Sequence, residues 1–366
     1  MEPGRALATA AASLSFFQIS SADHTCGITT DNRLYCWGKN DSGEVGDGTT
    51  IDRVRPVAVA PSLRFKLVST YYTHTCAVTT DSRVYCWGGN AMGQLGDGTT
   101  TRHLTPQPVA GIRTYRQVDV GAEYSCAIGT ADDRAYCWGS NFFGRLGIGV
   151  GGGIRTAPTP VAGARQFRQV HAGTRHACAV TPANLAFCWG DNSFGAIGDS
   201  SSALARYAPV RVAGSHEFVQ INAGADFSCA VTTTGRAYCW GNGREGEIGD
   251  GKAVLRFWPR AVAGGLTFRR VSASGKHACG ETPASKVYCW GDNRFGALGD
   301  GSTTNRLKPV PVLGGLSFSQ ISAGTAATCG RTSAGVGYCW GFNLFGQLGD
   351  GSHTDRLKPV KIVAPS

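Results

Sequence analysis

The chain has 366 residues, of which 42% are hydrophobic and 16% charged, and a formal net charge of +10. No apolar run approaches the ~20 residues that cross a bilayer as a helix, so no membrane span is expected. The 35 Lys and Arg residues are scattered singly along the chain. Nucleic-acid binding uses a concentrated basic stripe, so nucleic acid is not an expected partner.

In chain order, residues 1–15 come first, Ala-rich with one basic residue, Arg5. They read as a disordered tail or the remnant of a secretory signal. From Phe16 onward one unit recurs to the end of the chain. Its fixed point is Tyr-Cys-Trp-Gly or a close variant, with the tryptophan at Trp37, Trp87, Trp138, Trp189, Trp240, Trp290 and Trp340. Each copy opens on an aromatic and an aliphatic three apart, as in Phe65 and Val68. A small-residue turn leads to a short apolar strand such as Cys76-Ala77-Val78, and a polar turn (Thr79 to Arg83) leads to the Val84 to Trp87 strand. An Asn-x-x-Gly-x-Leu-Gly-Asp-Gly loop follows, then a Pro-bounded strand such as Pro309 to Val312. That is four short strands per copy, punctuated by Gly, Pro, Asn and Asp, with no helical periodicity.

Seven copies with almost no drift in spacing leave no room for a second domain, so residues 16–366 form one array. Four-stranded units repeated radially make a β-propeller. A linear solenoid needs atypical capping repeats, and the first and last copies here are ordinary. The expected fold is therefore all-β, a single seven-bladed propeller. Its first strand (Phe16 to Ser20) and last strand (Pro359 to Val363) are expected to meet at the ring seam.

The segments His74-Thr75, Val84 to Asn90 and Gly93 to Gly98 resemble the Gly-x-x-His-Thr, Val-Tyr-x-Trp-Gly-x-Asn and Gly-Gln-Leu-Gly-Asp-Gly elements of the regulator of chromosome condensation (RCC1) repeat family. The resemblance covers all seven repeats, in a secreted, bacterial-type form with paired cysteines. It implies the seven-bladed fold and little about function, since function belongs to sites grafted on folds. The family's exchange factors carry a wedge inserted in one blade, and the largest excess here is a single residue per repeat. Its plant photoreceptors place tryptophan in a Gly-Trp-Arg-His-Thr motif, and none stands in the matching segments here. Neither activity is expected.

Cysteine usage is informative. Every repeat holds two, one on each arm of one hairpin: Cys26 and Cys36, Cys76 and Cys86, Cys126 and Cys137, Cys178 and Cys188, Cys229 and Cys239, Cys279 and Cys289, Cys329 and Cys339. Directly opposed residues sit about 4.5–5.5 Å apart at Cα, which a disulfide accepts. Each bridge is worth roughly 2.5 kcal/mol in the chain-entropy account. Seven of them imply an oxidising compartment: extracellular, periplasmic or cell-surface.

No Gly-x-Ser-x-Gly, Walker or His-Glu-x-x-His motif occurs. Gly147 to Gly152 matches Gly-x-Gly-x-x-Gly but lies in a loop without the strand-turn-helix context. No enzyme activity, metal or cofactor is expected. The recurring Asp of the Gly-Asp-Gly loop reads as a turn residue. The Arg that follows each motif tryptophan by 15 to 17 residues reads as an intra-blade pair or carbonyl contact.

A specific site should lie where the repeats differ, on the face bearing the turn after strand one and the long loop after strand three. The candidates are Tyr71, Tyr72, Tyr124, Phe142, Phe143, Arg175, Phe194, Phe227, Arg244, Phe257, Trp258, Phe295 and Phe345. Exposed aromatics interleaved with Arg have the composition of protein-binding hot spots. The expected molecule is a monomeric, non-enzymatic scaffold that binds a protein partner. A glycan or cell-wall ligand stacking on the same aromatics is the alternative.

Overall fold

In the computed structural model, which describes residues 13–365, strands of four to seven residues alternate with turns, as the short apolar runs between Gly, Pro and Asn require. They form seven antiparallel sheets of four strands, each built from consecutive strands. The blades span Phe16–Val59, Phe65–Pro108, Tyr115–Pro160, Gln169–Arg211, Phe218–Ala261, Arg270–Pro311 and Phe318–Lys361, here blades 1 to 7. The one helical turn among the described residues is a 3₁₀ turn at Phe142–Gly144, and no described helix is long and apolar enough to cross a membrane. The expected tail, residues 1–15, lies outside the described residues except for Ser13, Leu14 and Ser15, where Leu14 packs against Phe16 and Trp37.

The first strand of each blade is innermost and the fourth is at the outer edge. No sheet mixes strands from the two chain ends. The chain ends meet at the seam through side chains and not as paired strands: Arg356–Lys361 is the outer edge of blade 7, paired with Gly337–Gly341, and Val360 and Ile362 share a core with Phe16 and Ile19. The seam between blades 7 and 1 is closed by the same side-to-side contacts as every other pair of blades.

Those contacts are where the core sits. In every blade the two cysteines face each other in register across the hairpin of the second and third strands, and all seven expected pairs are bridged. The bridges join Cys26 to Cys36, Cys76 to Cys86, Cys126 to Cys137 and Cys178 to Cys188 in blades 1 to 4. In blades 5 to 7 they join Cys229 to Cys239, Cys279 to Cys289 and Cys329 to Cys339. Their Cα atoms lie 4.0–4.1 Å apart, somewhat closer than the spacing expected for an open pair of strands, and no free cysteine stands among the described residues.

Each bridge packs against the tryptophan and opening aromatic of the next blade. Cys26 and Cys36 meet Phe65 and Trp87, and Cys76 and Cys86 meet Tyr115 and Trp138. Cys126 and Cys137 meet Phe167 and Trp189, and Cys178 and Cys188 meet Phe218 and Trp240. Cys229 and Cys239 meet Phe268 and Trp290, and Cys279 and Cys289 meet Phe318 and Trp340. At the seam, Cys329 and Cys339 of blade 7 meet Phe16 and Trp37 of blade 1. All seven motif tryptophans are fully buried, and each covered ring keeps roughly 1.5–3 kcal/mol that exposure would forfeit.

An indole N–H buried without an acceptor is costly, and each finds one in the preceding blade. The Trp37 N–H donates to the Gln347 carbonyl at 3.0 Å across the seam, Trp87 to Glu44 at 2.8 Å, Trp138 to Gln94 at 2.9 Å and Trp189 to Arg145 at 3.0 Å. Trp240, Trp290 and Trp340 reach the Ala196, Glu247 and Ala297 carbonyls, each at 2.9 Å. The acceptors all lie in the Gly-x-x-Gly loop. The second glycine of that loop, such as Gly96 (φ 70°), lies flat on the next blade's indole, where any Cβ would strike the ring. This is the physical content of the recurring loop motif.

In five blades a hydroxyl on the second strand donates to the same carbonyl: Thr25, Thr75, Ser125, Ser228 and Thr328. Four of these hydroxyls accept in turn from a buried histidine of the preceding blade: His24 to Thr75, His74 to Ser125, His176 to Ser228 and His277 to Thr328. Each hydroxyl spends its own proton on the carbonyl, so each histidine must carry hydrogen on Nε2. Burial pushes His24 and His74 down to about 3, and His176 and His277 to about 4, so all four are neutral joints.

The recurring loop Asp also acts within its blade. Asp47 Oδ1 accepts the Thr49 N–H at 3.0 Å, while Oδ2 pairs with Arg53 at 2.6 Å. The same pairing joins Asp199 to Arg206, Asp250 to Arg256, Asp300 to Arg306 and Asp350 to Arg356. In blade 2 the partner of Asp97 is His103, not Arg102. Ile148 removes the pair in blade 3, where Arg155 donates to the Ile154 carbonyl.

These joints set the cost of two substitutions. In blade 4, Ala177 supplies no second donor to the Arg145 carbonyl, whereas Thr75 still serves Glu44. Trp189→Phe should therefore cost about 1–2 kcal/mol more than Trp87→Phe, because it orphans a buried acceptor; equal losses in non-reducing denaturant titrations would show that the joint carries no weight. Second, burial, joined by the nearby Asp41 carboxylate, pushes the Glu44 carboxyl up to about 8, although its Oε2 does the same work as Gln94 Oε1, accepting a loop N–H. The folded state then binds the proton that the unfolded chain releases near ~4.3, so stability falls as pH rises between those values. Glu44→Gln should gain melting temperature over wild type progressively from pH ~4 to about 8 and hold a constant lead above that.

Candidate protein-docking face

The turns after strand one and the long loops after strand three emerge on one face, called the loop face. Where the long loops leave the third strand, a buried asparagine holds them. Asn40 Oδ1 accepts the Val45 N–H at 2.9 Å, and its Nδ2 donates to the Thr49 and Ile51 carbonyls at 3.1 Å. Asn90, Asn141, Asn192, Asn293 and Asn343 repeat the arrangement, while blade 5 has Gly243 there. With its base fixed, each loop presents the residues just after the asparagine outward.

Residues on either side of that asparagine, with Tyr72 from the turn after strand one, form an arc across blades 6, 7, 1, 2 and 3. Phe295 packs on Phe342 with ring centroids 4.9 Å apart, and Phe342 on Phe345 at 6.0 Å. The Lys39 ammonium of blade 1 lies 5.8 Å from the Phe345 ring centre. Lys39 is also one wall of a groove of about 650 Å³ that runs past Tyr72 and Met92 to Arg102 and Glu123. Beyond it stand Phe142 and Phe143, 48% and 49% exposed. Phe143 holds φ 59° and ψ 12°, the left-handed region that a bulky side chain avoids at a cost of order 1–3 kcal/mol. Arg244 and Arg175 stand exposed in blades 5 and 4, and Phe194 is half-buried in blade 4. Arg102, Arg244 and Lys276 form no ion pair among the described residues.

Four candidates are not surface residues of this face, and the expectation for them is corrected. Tyr124 and Phe227 are 0% and 1% exposed because they occupy the buried histidine's position at the start of the second strand. Where these rings replace histidine, the next blade has alanine in place of the hydroxyl, and Tyr124 packs in one core with Ala177, Phe227 in another with Ala278. The Tyr124 hydroxyl donates to the His176 carbonyl at 2.7 Å. Phe257 follows the pairing Arg256 and covers the loop glycine Gly195 of blade 4, as Leu104 covers Gly43.

Tyr71 is the fourth, at 4% exposure. Its hydroxyl lies 2.7 Å from Thr174 Oγ1, two blades away, so the side chain reaches across the ring's central channel. Tyr72 meets it edge-on, centroids 4.7 Å apart. Burial first, then the Asp23 and Asp226 carboxylates of blades 1 and 5, push the Tyr72 hydroxyl up. The pair closes the channel at the loop face, which explains a tyrosine where four other repeats have glycine. Trp258 is 44% exposed but stands on the outermost strand of blade 5, stacked with Arg260 at 4.7 Å, away from the arc. Phe342, Leu344 and Lys39 belong to the arc and were not expected. Phe342 could have been found, because its column otherwise holds Lys39, Gly89, Ser140, Asp191, Asn242 and Asp292.

Tyr71→Ala should therefore lose about 3–5 kcal/mol, as for a buried aromatic. Trp258→Ala should stay within about 1 kcal/mol of wild type. Calorimetry on the two variants checks both, and a Tyr71 variant that melts like wild type would remove the plug.

A family model described as RCC1-like domain matches residues 73–366, and one described as regulator of chromosome condensation (RCC1) repeat matches residues 20–44. The mouse protein named probable E3 ubiquitin-protein ligase HERC4 is 33% identical over 120 residues. That match covers 31% of this chain and 11% of HERC4, so this chain spans a small part of that relative's length. The solved structure of human WBSCR16 superposes with a TM-score of 0.82 at 20% identity, covering 90% of this chain and 94% of that one. Prp20p of Saccharomyces cerevisiae, described with its binding properties to Gsp1p and histones, gives 0.78 at 18% identity, covering 95% and 87%. At these identities the structures establish a shared fold.

Proposed function

For a chain that belongs to the RCC1-like domain family, we propose the role of a non-enzymatic recognition propeller that docks a protein partner on its loop face. The observation that carries this reading is the arc from Phe295 through Phe345, Lys39, Tyr72 and Met92 to Phe143. Of these, Phe143 and Phe295 are exposed rings, as is Phe142 beside them; such rings gain little for folding, and Phe143 stands there at a cost in backbone strain. Unpaired cations beside the arc (Arg102, Arg244 and Lys276) favour a partner whose apolar contact is rimmed by acidic residues. Prp20p, with its binding to Gsp1p and histones, is a precedent for protein recognition on this fold.

The recurring Asp, Arg and His side chains are committed to turns, ion pairs and inter-blade joints, which supports binding rather than catalysis. The seven bridged hairpins support an oxidising location, at the cell surface or beyond the cytoplasmic membrane. The protein acts as a monomer, because each blade already finds its neighbours within one ring.

The test is affinity enrichment from the secreted and surface fractions with wild type and the double variant Phe143→Asn, Leu344→Ser. Asparagine tolerates the left-handed backbone, so the double variant should melt no lower than wild type. It should lose at least about tenfold in partner affinity, the scale of a hot spot. A wild type that enriches nothing over the variant, or a variant that binds equally, overturns the proposal.

A further inference from the structure

The channel closed by Tyr71 at one end opens at the other, on the face that carries the turns between second and third strands. Its wall is built from two stacked rings of side chains on the innermost strands, and nearly all of them are spent on joining blades. In the outer ring Gln18, Gln117, Gln169, Gln220 and Gln320 each make a paired contact. Gln18 Nε2 donates to the Val68 carbonyl at 2.8 Å while its Oε1 accepts the Val68 N–H at 2.9 Å. Gln320 does the same to Ile19 across the seam. In the ring below, Ser20, Ser69, Asp119, His171, Ser272 and Ser322 each accept an N–H of an adjoining blade.

Two positions break the glutamine ring, Leu67 and Arg270. At Arg270 the clip to Ile321 is lost, and the residue that replaces it is a cation with no side-chain hydrogen bond or ion pair among the described residues. It does not stand alone. Arg269 beside it donates to Glu281 at 3.0 Å and to the Phe318 carbonyl at 2.9 Å. Arg331 of blade 7 donates to Ser319 Oγ at 2.9 Å, and its buried Nε has no partner. Burial first, then the neighbouring Arg270 charge, hold Arg331 below the usual guanidinium range. With Lys66 these residues line a cavity of about 840 Å³. Lys66 gives its ammonium to Ser82 Oγ at 2.6 Å and meets no carboxylate. In that lining four cations, Lys66, Arg269, Arg270 and Arg331, face the single carboxylate of Glu281. Deeper, on the opposite wall, the oxygens of Asp119 are taken by the Ser69 hydroxyl and the Ala172 N–H.

Like charges converging on one concave mouth repel; Glu281 offsets Arg269, while Lys66, Arg331 and the exposed Arg270 form no ion pair among the described residues. A concave volume of this size suits a small ligand more than a flat protein surface. Guanidinium forks from two adjacent blades match the tetrahedral oxygens of phosphate better than a single carboxylate plane. We infer that this mouth is a binding site for a small, multiply charged phosphoryl ligand, held by Arg270 and Arg331 with Arg269 supporting. It lies on the opposite face from the docking arc and stands independently of it.

Calorimetric titration of the whole protein with pyrophosphate and with inorganic phosphate, at physiological salt, tests the site. Pyrophosphate should bind saturably and more tightly than phosphate. Arg270→Gln restores the residue that five other blades use and the clip to Ile321, so it should fold and melt at or above wild type. Its pyrophosphate affinity should fall at least about tenfold, as expected when a charge-assisted contact is removed. Phe143→Asn on the loop face should bind pyrophosphate as wild type does, which separates this site from the docking face. Absence of saturable binding at millimolar pyrophosphate overturns the inference. So does an Arg270→Gln protein that binds as tightly as wild type, or an equal loss in Lys308→Gln on the outer edge, which would mark bulk charge alone.

Discussion

The hydrogen bond from each tryptophan indole to a loop carbonyl of the preceding blade is the constraint on which the ring depends. The blades share no strands, so between them the backbone offers only single bonds, such as the Phe65 N–H to the Asn32 carbonyl and, at the seam, the Phe16 N–H to the Gly335 carbonyl. The disulfides do not help there either, since each bridges two arms of one hairpin, as Cys86 does with Cys76 and Cys289 with Cys279. Ring integrity rests on non-covalent faces, and the indole bond fixes the register of every face: it places the glycine of one loop flat on the ring of the next blade and positions the bridged cysteines beneath it. The seam obeys the same geometry through Trp37 and Gln347. A closed array has no free end from which to fray, whereas an open solenoid must protect two.

Period, strand count, hairpin pairing of the cysteines and the closed ring were all legible in the sequence, because each is fixed by spacing that seven copies repeat. The one longer spacing, Cys126 to Cys137, is absorbed in the turn at Asp133 and leaves the pairing intact. The direction of individual side chains was not legible. Tyr124 and Phe227 differ from the histidines in their column, and difference alone suggested a binding role. Their meaning sits one repeat further on, at Ala177 and Ala278, where small residues replace the hydroxyls that a histidine would need. A column read by itself cannot show this; columns of neighbouring repeats read as pairs can. Tyr71 was opaque for another reason. Its partner Thr174 is 103 residues away and two blades round the ring, a contact that no local spacing encodes. Phe257 looked unique because its aromatic character was compared, when the shared property of its column is an apolar cover over the preceding loop glycine.

These cases separate two kinds of departure from the repeat. A compensated departure is matched by a change in the adjoining blade, as Tyr124 is by Ala177, and the joint keeps its bonds by a different route. An uncompensated departure leaves a cost in place. Phe143 keeps a left-handed backbone that no other residue of its column adopts and that glycine or asparagine would hold more easily, and Arg270 gives up a paired inter-blade clip for an unmatched charge. Folding gains nothing from either. In a ring where almost every polar side chain on the inner strands is spent on joining neighbours, such residues are the ones free to be selected for something outside the chain. They lie on opposite faces, one apolar and one cationic, with the Tyr71 plug between them. The plug matters for that reason: a channel open at both ends would let solvent and ions pass the arginines, whereas a blind one confines their field to a single mouth and so strengthens its pull on an anion.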